Sequence, residues 1–233
     1  MVWLSSILEN VALKNAKIIT VTTSKLLTRT KRFQKPNLVI PNYPMKNFQP
    51  DAQRKTFRKL QGVPDSAKII LFIGKLARVE GADLMPSIIS DVLKKAKNRV
   101  IFWMVGDGTL RPLIEKVEKK YPDAVRLFAW QPYNKMPNFI NASDVCIAPR
   151  DETPHSQYYN EENLFKVSEY GFYRKPIVAC GIAPSKYYLL VNKDRMAEGI
   201  NDALAGKGPL PEPRTWEDYC EENVLKVIRL VVE

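Results

Sequence analysis

Unbroken apolar runs constrain the fold of this chain more than any other feature. Three of them cover residues 68–74, 99–106 and 144–148. Apolar residues without alternation are typical of strands that are covered on both faces. Segments with apolar residues at helical spacing, such as residues 84–96, separate these runs. Strands that alternate with helices form βαβ units, so the sequence predicts an α/β fold: a Rossmann-like parallel sheet with helices on both faces.

The same patterns place the remaining elements. The predicted strands are residues 17–22, 37–41, 68–74, 99–106, 124–129, 144–148, 175–180 and 187–191. The predicted helices are residues 1–12, a segment beginning at Ser24, and residues 51–60, 84–96, 109–121, 136–141, 162–173, 194–204 and 216–232. Ligands of such sheets bind outside the carboxyl ends of the strands. We therefore expect a site among the loops that follow Ile73, Val105, Phe128, Ala148 and Val178.

Composition limits the class of protein. The 233 residues, 45% of them hydrophobic, suffice for one domain, or for one domain and a fragment of another. No run approaches the roughly 20 apolar residues that span a bilayer. The apolar start carries Glu9 and has no basic run before it, which argues against a secretory signal. Cys146, Cys180 and Cys220 are odd in number and far apart, which favours free thiols in a reducing, cytoplasmic setting.

The net charge of +11 predicts attraction to anionic ligands or surfaces. The densest basic runs are residues 25–35 and 94–99. Solvated helix faces explain these runs more simply than a nucleic-acid groove does, because the sequence has no zinc-finger spacing and no RNA-binding aromatic motif.

The first candidate loop follows the predicted strand 68–74. Gly74 and Gly81 bracket two cations, Lys75 and Arg78. Glycine allows close backbone approach, and the cations could neutralise a diphosphate. A solvated turn is the alternative.

Two further loops suit parts of a nucleotide. Gly106 and Gly108 precede a predicted helix, which suits a phosphate but equally a tight turn with Thr109 as the N-cap residue. Trp130 and Gln131 follow the strand 124–129, where an aromatic side chain could lie beside a base or serve packing.

The most informative loop follows the predicted strand 144–148. Glu161 and Glu169 are eight residues apart, and Lys166 shares a helix face with Glu169. A carboxylate can accept hydrogen bonds from two vicinal hydroxyls. The amides of Phe165 and Lys166, at a helix N-terminus, suit a phosphate. The segment could hold a sugar, a diphosphate and a ribose, although a charged solvent face is what spacing alone favours.

Taken in order, these loops resemble the retaining glycosyltransferases of the large group 1 family, which have the GT-B fold. The segments that carry the resemblance are residues 16–24, 39–50, 71–76, 104–108, 141–149 and 161–178. They look like the last acceptor-domain strand, the Ile-Pro-Asn start of the second domain, the Gly-Arg-Leu loop, the Val-Gly-Asp-Gly turn, the Ala-Ser-Asp-Val strand and the Glu-x7-Glu motif. Each motif is loose, but six in the right order are specific. The resemblance implies the donor-binding half of a GT-B fold.

The resemblance also implies roles for matching positions. The residues implied in catalysis are Lys75 and Glu161. The residues implied in substrate binding are Gly74, Arg78, Gly106, Trp130, Gln131, Phe165, Lys166 and Glu169. Glu169 would bind the ribose hydroxyls, Glu161 would contact the transferred sugar, and Lys75 stands where the family has a diphosphate-binding Arg. Catalysis in the family rests on stabilising the leaving diphosphate, without an obligatory metal or other cofactor.

Two departures from the family pattern matter. The family's Lys before Gly in the first loop is Glu80 here, which should repel a diphosphate, and Arg78 is the candidate replacement. The resemblance implies that the acceptor site and the catalytic His lie in the acceptor-side domain, of which we expect residues 1–35 to be a remnant. The single histidine, His155, lies in a polar loop and is interpreted as solvated.

The sequence therefore predicts the donor-binding part of a retaining glycosyltransferase that transfers a hexosyl group from a nucleoside-diphosphate sugar. We expect residues 1–35 to be an acceptor-side remnant and hinge, residues 36–213 the nucleotide-sugar-binding domain, and residues 214–233 a cross-over helix. Alternatives are an inactive sugar-nucleotide-binding module, a basic nucleic-acid-binding protein, or an epimerase on the same fold. Uncovered apolar faces predict a partner chain, a self-dimer or a peripheral membrane contact.

Overall fold

The computed structural model describes residues 2–96, 98–225 and 228, with side chains from residue 6 onward. Two strands, β1 (Ile19–Val21) and β2 (Asn37–Val39), pair as a small parallel sheet. The strands of the central sheet are β3 (Lys68–Ile73), β4 (Val100–Val105), β5 (Val125–Phe128), β6 (Val145–Ala148), β7 (Ile177–Ala179) and β8 (Leu189–Leu190). Their spatial order is β5-β4-β3-β6-β7-β8, and all neighbours are parallel.

Helices cover both faces of this sheet, so the predicted α/β, Rossmann-like fold is confirmed. The helices of the described residues are α1 (Val2–Asn15), α2 (Leu27–Thr30), α3 (Arg54–Leu60), α4 (Met85–Lys95), α5 (Arg111–Lys120), α6 (Met136–Ala142), α7 (Phe165–Phe172), α8 (Met196–Leu204) and α9 (Trp216–Tyr219). No described helix is long and apolar enough to cross a membrane.

Two apolar layers, one on each face of the sheet, form the core. Along β3, Ile70 and Phe72 point into the layer that contains α4 and α8, whereas Ile69 and Leu71 point into the layer that contains α6 and α7. Because both faces are buried, neither set alternates with polar residues, which is the physical origin of the unbroken runs. Cys146 and Cys180 are buried free thiols within this core, as predicted.

The direction of strand addition reverses at β3. The chain moves outward from β3 through β4 to β5, then returns to the other side of β3 with β6 and continues through β7 to β8. The loops after β3 and β6 diverge at such a reversal, and the crevice between them is the usual ligand position in open α/β sheets. The fold therefore points to one end of the sheet, near β3.

Three helix predictions need correction. Helix α5 begins at Arg111 with Leu110 as its N-cap, so Thr109 does not cap it; the Leu110 amide instead donates to Leu76 O at 2.8 Å, which extends the turn. Helix α7 begins at Phe165, because residues 161–163 form a turn. The predicted helix 216–232 is α-helical only over Trp216–Tyr219 at its start, and the next residues, Cys220–Val224, form a wider π-helical turn.

Some predictions lie outside the described residues. They include Lys97 of the basic run 94–99 and residues 226, 227 and 229–232 of the predicted last helix. The expected boundary at residue 35 falls between β1 and β2, which pair with each other across it.

Candidate functional site

A cavity of about 580 Å³ opens at the carboxyl ends of β3 and β4, beside the start of α7. Its volume lies within the range of small-molecule sites. Among its lining residues are the predicted Gly74, Lys75, Gly106, Trp130, Gln131, Phe165, Lys166 and Glu169. The lining also includes residues that the sequence did not single out as ligand contacts: Ile73, Glu80, Val105, Asp107, Tyr133, Met136, Asn163 and Leu164. The structure thus joins loops that are widely separated in sequence.

Two glycines let the loops after β3 and β4 meet backbone to backbone. A Cβ atom on Gly106 would lie 2.0 Å from the carbonyl oxygen of Gly74, and Gly106 has a φ of 146° that disfavours other residues. The amide of Leu76 donates to Asp107 O at 2.9 Å and holds the loops in register. This contact brings the peptide groups of Gly74 and Gly106 to the cavity wall.

Hydrogen bonds from outside α7 fix the start of that helix at the cavity. The Ile73 amide, at the end of β3, donates to the hydroxyl of the buried Tyr170 at 2.9 Å. Asn42 donates from its amide to Glu162 O at 2.6 Å and from its side chain to Asn163 O at 3.1 Å. The Ser168 hydroxyl donates to Asn42 O at 2.6 Å. Helix α7 is thereby positioned by both the central sheet and the linker that follows β2.

The N-terminus of α7 presents unused donors to the cavity. Within the described part of the chain, the amides of Phe165 and Lys166 donate no hydrogen bond, and no side chain caps the helix at Leu164. Leading amides of a helix lack intrahelical acceptors and carry a partial positive charge. The position is therefore suited to an anionic group.

Three charged side chains form a cluster at the cavity wall. The Lys166 ammonium lies 2.7 Å from Glu80 Oε2, and Arg150 Nη2 lies 2.9 Å from Glu80 Oε1. Arg150 also donates to Val79 O at 3.0 Å. The Lys166 and Arg150 side chains are about nine-tenths buried, and the cluster carries two positive charges and one negative charge.

Burial and pairing act on this cluster in opposite directions. Burial lowers the pKa of Lys166, and the negative charge of Glu80 opposes that shift. Burial would raise the pKa of Glu80, but Lys166 and Arg150 together hold it below its usual range. Glu80 is therefore ionised and neutralised by its neighbours. The repelling charge expected at Glu80 is therefore offset by two cations.

Glu169 is the most deeply buried carboxyl group of the lining, with 5% of the residue exposed. Burial raises its pKa to about 7, against the opposing effects of a hydrogen bond with Tyr133 and the charge of Lys166. Two aromatic side chains lie on the rim above it: Trp130 is 70% exposed and Tyr133 is 54% exposed. The site thus combines a buried acceptor with accessible aromatic faces.

Residues 67–209 match the model of the family described as Glycosyl transferases group 1. The chain belongs to this family. The match includes every loop that lines the cavity. The curated proteins contain no significant sequence match to the chain.

Solved glycosyltransferases share the fold at low identity. HepE from Anabaena in complex with UDP-glucose has a TM-score of 0.63 and 16% identity, covering 84% of this chain and 56% of that one. Pneumococcal O-GlcNAc transferase GtfA in complex with UDP and GlcNAc has a TM-score of 0.66 and 12% identity, covering 95% and 47%. Sucrose-phosphate synthase from Thermosynechococcus elongatus has a TM-score of 0.64 and 18% identity, covering 85% and 52%. The chain spans about half the length of each.

Two of the predicted site residues do not line the cavity. Arg78 has a side chain that is 83% exposed and pairs with Asp83 at 3.4 Å. Glu161 lies instead beside Ser185 and Arg214; burial raises its pKa, and its Oε2 atom has no hydrogen-bond partner in the described residues. His155 is exposed and also lies outside the lining. The roles of Arg78 and Glu161 stay predictions.

Sequence reasoning missed the importance of Arg150 and Glu162. Arg150 follows β6 and holds Glu80, while the Glu162 carboxylate accepts hydrogen bonds from Thr23 and Ser24 at 2.8–3.0 Å. Arg150 lies 70 residues from Glu80, and Glu162 lies 138–139 residues from Ser24 and Thr23. Neither contact leaves a local sequence pattern. The sequence indicates these two residues only as charged positions in a polar loop, without their partners.

Proposed function

We propose that this chain supplies the donor-binding part of a retaining glycosyltransferase, which transfers a hexosyl group from a nucleoside-diphosphate sugar to an acceptor. Family membership supports the reaction class. The observation that carries the proposal is the cavity itself, where unused helix amides, a buried ammonium group and a buried carboxyl group converge.

The diphosphate would lie between the start of α7 and the loop after β3. The amides of Phe165 and Lys166 would donate to its oxygens, and the peptide groups near Gly74 would approach it closely. The exposed Lys75 lines the same wall and would neutralise charge on the leaving diphosphate. We assign Lys75 a catalytic role on this basis.

The nucleoside would occupy the other end of the cavity. Glu169 would accept hydrogen bonds from the ribose hydroxyls, because its carboxyl group is buried among the lining residues. Trp130 and Gln131 would flank the base, with the exposed indole face available for stacking. Gly106 would allow the nucleotide to approach the loop after β4.

Arg78 and Glu161 are proposed to act only when the donor is bound. Arg78 is exposed near the first loop and would reach a diphosphate after leaving Asp83. Glu161 would contact the transferred sugar. Both roles require movement from the positions that the structure has, and we expect that movement to accompany donor binding.

Residues 36–213 would form the donor-binding domain, with residues 1–35 as the acceptor-side remnant and hinge and residues 214–233 as the cross-over helix. Apolar side chains are exposed in both flanking segments: Ile7, Leu8, Val11, Leu225 and Ile228. We infer that they are covered by a partner chain, a self-dimer or a membrane surface in a cytoplasmic setting. Light scattering with and without anionic vesicles separates these arrangements.

The test of donor binding is a thermal-shift screen with UDP, GDP, ADP and their hexose conjugates. A ligand at 100 times its Kd stabilises the folded state by about 2.7 kcal/mol, which corresponds to a rise in Tm of roughly 5–11 °C for a chain of this size. We expect one nucleotide series to raise the Tm. Glu169→Ala should abolish the rise, and the exposed-site control Glu198→Ala should keep it.

Each other outcome has a definite meaning. No Tm rise with any nucleotide would contradict the proposal. A nucleotide-dependent rise without sugar transfer in the presence of acceptor candidates would favour the inactive binding module. Salt-sensitive binding of oligonucleotides without preference for sugar nucleotides would favour the nucleic-acid-binding alternative.

A further inference from the structure

Glu80 stands in the diphosphate region of the cavity, where a carboxylate should be unfavourable. Yet it does not face the cavity as an isolated charge, because Lys166 and Arg150 contact its two carboxylate oxygens at 2.7 and 2.9 Å. Arg150 is held in turn by Val79 O and lies over the ring of Tyr159, with 4.4 Å between its guanidinium carbon and the ring centroid. The carboxylate is therefore held by a buried partner that makes further contacts of its own.

The Lys166 ammonium is placed directly beneath the first loop. A Cβ atom on Gly74 would lie 2.7 Å from Lys166 Nζ, so the ammonium lies directly against the backbone of the loop after β3. The same ammonium lies 4.6 Å from the centroid of the Phe72 ring. The charged groups that act on it are Glu80 and, more weakly, Arg150 and Glu169.

The stability of the folded state alone does not explain why these three charged side chains are buried together. Buried ion pairs repay their desolvation only with good geometry, and apolar replacements are often as stable. Arg150 repels the Lys166 charge and burial disfavours it, so Glu80 supplies most of the interaction that keeps Lys166 protonated.

We propose that Glu80 is a positioning residue, which, anchored by Arg150, holds the Lys166 ammonium charged and aimed at the donor diphosphate beneath Gly74. This inference rests on the proposed donor site. It also explains how a carboxylate can occupy a loop that faces phosphate: two buried cations contact its oxygens and offset its charge.

The proposal makes a prediction opposite to simple charge counting. Removing a negative charge near an anion should strengthen binding, whereas removing a positioning residue should weaken it. We expect Glu80→Gln to bind UDP and inorganic pyrophosphate at least tenfold more weakly than wild type at pH 8. The loss should shrink as the pH falls, because a lower pH favours the protonated form of Lys166. Taking the ratio of the two affinities at each pH cancels the ionisation of the ligand.

The experiment is isothermal titration of wild type, Glu80→Gln, Glu80→Asp, Lys166→Met and the double variant at pH 6.5, 7.25 and 8. Glu80→Asp should retain more affinity than Glu80→Gln. Adding Glu80→Gln to Lys166→Met should cost no further affinity, because the ammonium that Glu80 positions is already absent. If Glu80→Gln does not fold, a several-fold, pH-dependent loss in Glu80→Asp carries the same test.

Equal or tighter binding by Glu80→Gln at every pH would overturn the positioning role. So would an equal loss from Glu80→Gln in the Lys166→Met background. Failure of wild type to bind either UDP or pyrophosphate would instead contradict the donor site itself, so the two failures are distinguishable.

Discussion

Glu169→Gln should make the protein more stable at alkaline pH while it weakens donor binding. The folded-state pKa of Glu169 is about 7, whereas its ordinary value is 4.5. Between these values the folded state holds more protons than the unfolded state, so stability falls as the pH rises through that window. Glutamine keeps the shape of the protonated side chain and carries no charge, so the variant escapes this loss.

The size of the effect follows from the pKa shift. A rise from 4.5 to about 7, at about 1.4 kcal/mol per unit, corresponds to a penalty of about 3 kcal/mol once the group is fully ionised. At pH 5 the penalty is only about 1 kcal/mol. For a chain of this length, the alkaline penalty corresponds to roughly 6–12 °C in Tm.

The assay is thermal denaturation of wild type, Glu169→Gln and Glu198→Gln at pH 5 and pH 8. Glu198 is a matched control because it is exposed and its hydrogen bond with Arg195 lowers its pKa. Only Glu169→Gln should raise the Tm, and mainly at pH 8. A Tm difference that does not change with pH, or a less stable variant at pH 8, would show that burial does not raise the pKa of Glu169 in this way.

Three further substitutions probe the fold and the site. Asp144→Asn leaves the buried guanidinium of Arg58 without its carboxylate partner, and urea denaturation should show a loss of about 3–5 kcal/mol in the free energy of unfolding. Gly106→Ala forces a Cβ atom against the carbonyl oxygen of Gly74, so both the Tm and the UDP-induced rise in Tm should fall. Trp130→Ala should keep the Tm, because the side chain is 70% exposed. Titration should show nucleotide affinity reduced by about 1–3 kcal/mol and pyrophosphate affinity unchanged; equal losses for both ligands would contradict a base-stacking role.

The central sheet could be predicted from sequence because its signal is local. Strands β3 and β4 are buried on both faces, so their apolar runs are continuous and lack the polar positions of an amphipathic helix. Helix ends were harder, because tertiary contacts decide them. Helix α7 begins later than predicted, at Phe165, because Asn42 hydrogen-bonds to the preceding turn. Asn42 lies 121 residues before Asn163, the acceptor of its side-chain hydrogen bond, so the local sequence does not record this contact.

The candidate site was predictable only as far as its motifs reach. Gly74, Gly106, Lys166 and Glu169, to which the resemblance assigns ligand contacts, line one cavity. The partner of Glu80 was not predictable, because Arg150 lies 70 residues away and belongs to no motif of the first loop. Sequence could identify the unusual carboxylate but not the cations that neutralise it.

Carboxylates outnumber ammonium groups in the cavity lining, so net charge alone would not predict an anion site. Each carboxyl group is offset by a different means. Glu80 is paired with two buried cations, Asp107 is paired with Arg111 at 3.2 Å, and Glu169 is largely protonated below a pH of about 7. The groups left to meet a negative ligand are the buried ammonium of the cluster, Lys75 and the free amides at the start of α7. A diphosphate needs donors of this kind, and the pairing of Glu80 and Asp107 reduces the repulsion that their charges would otherwise exert on it.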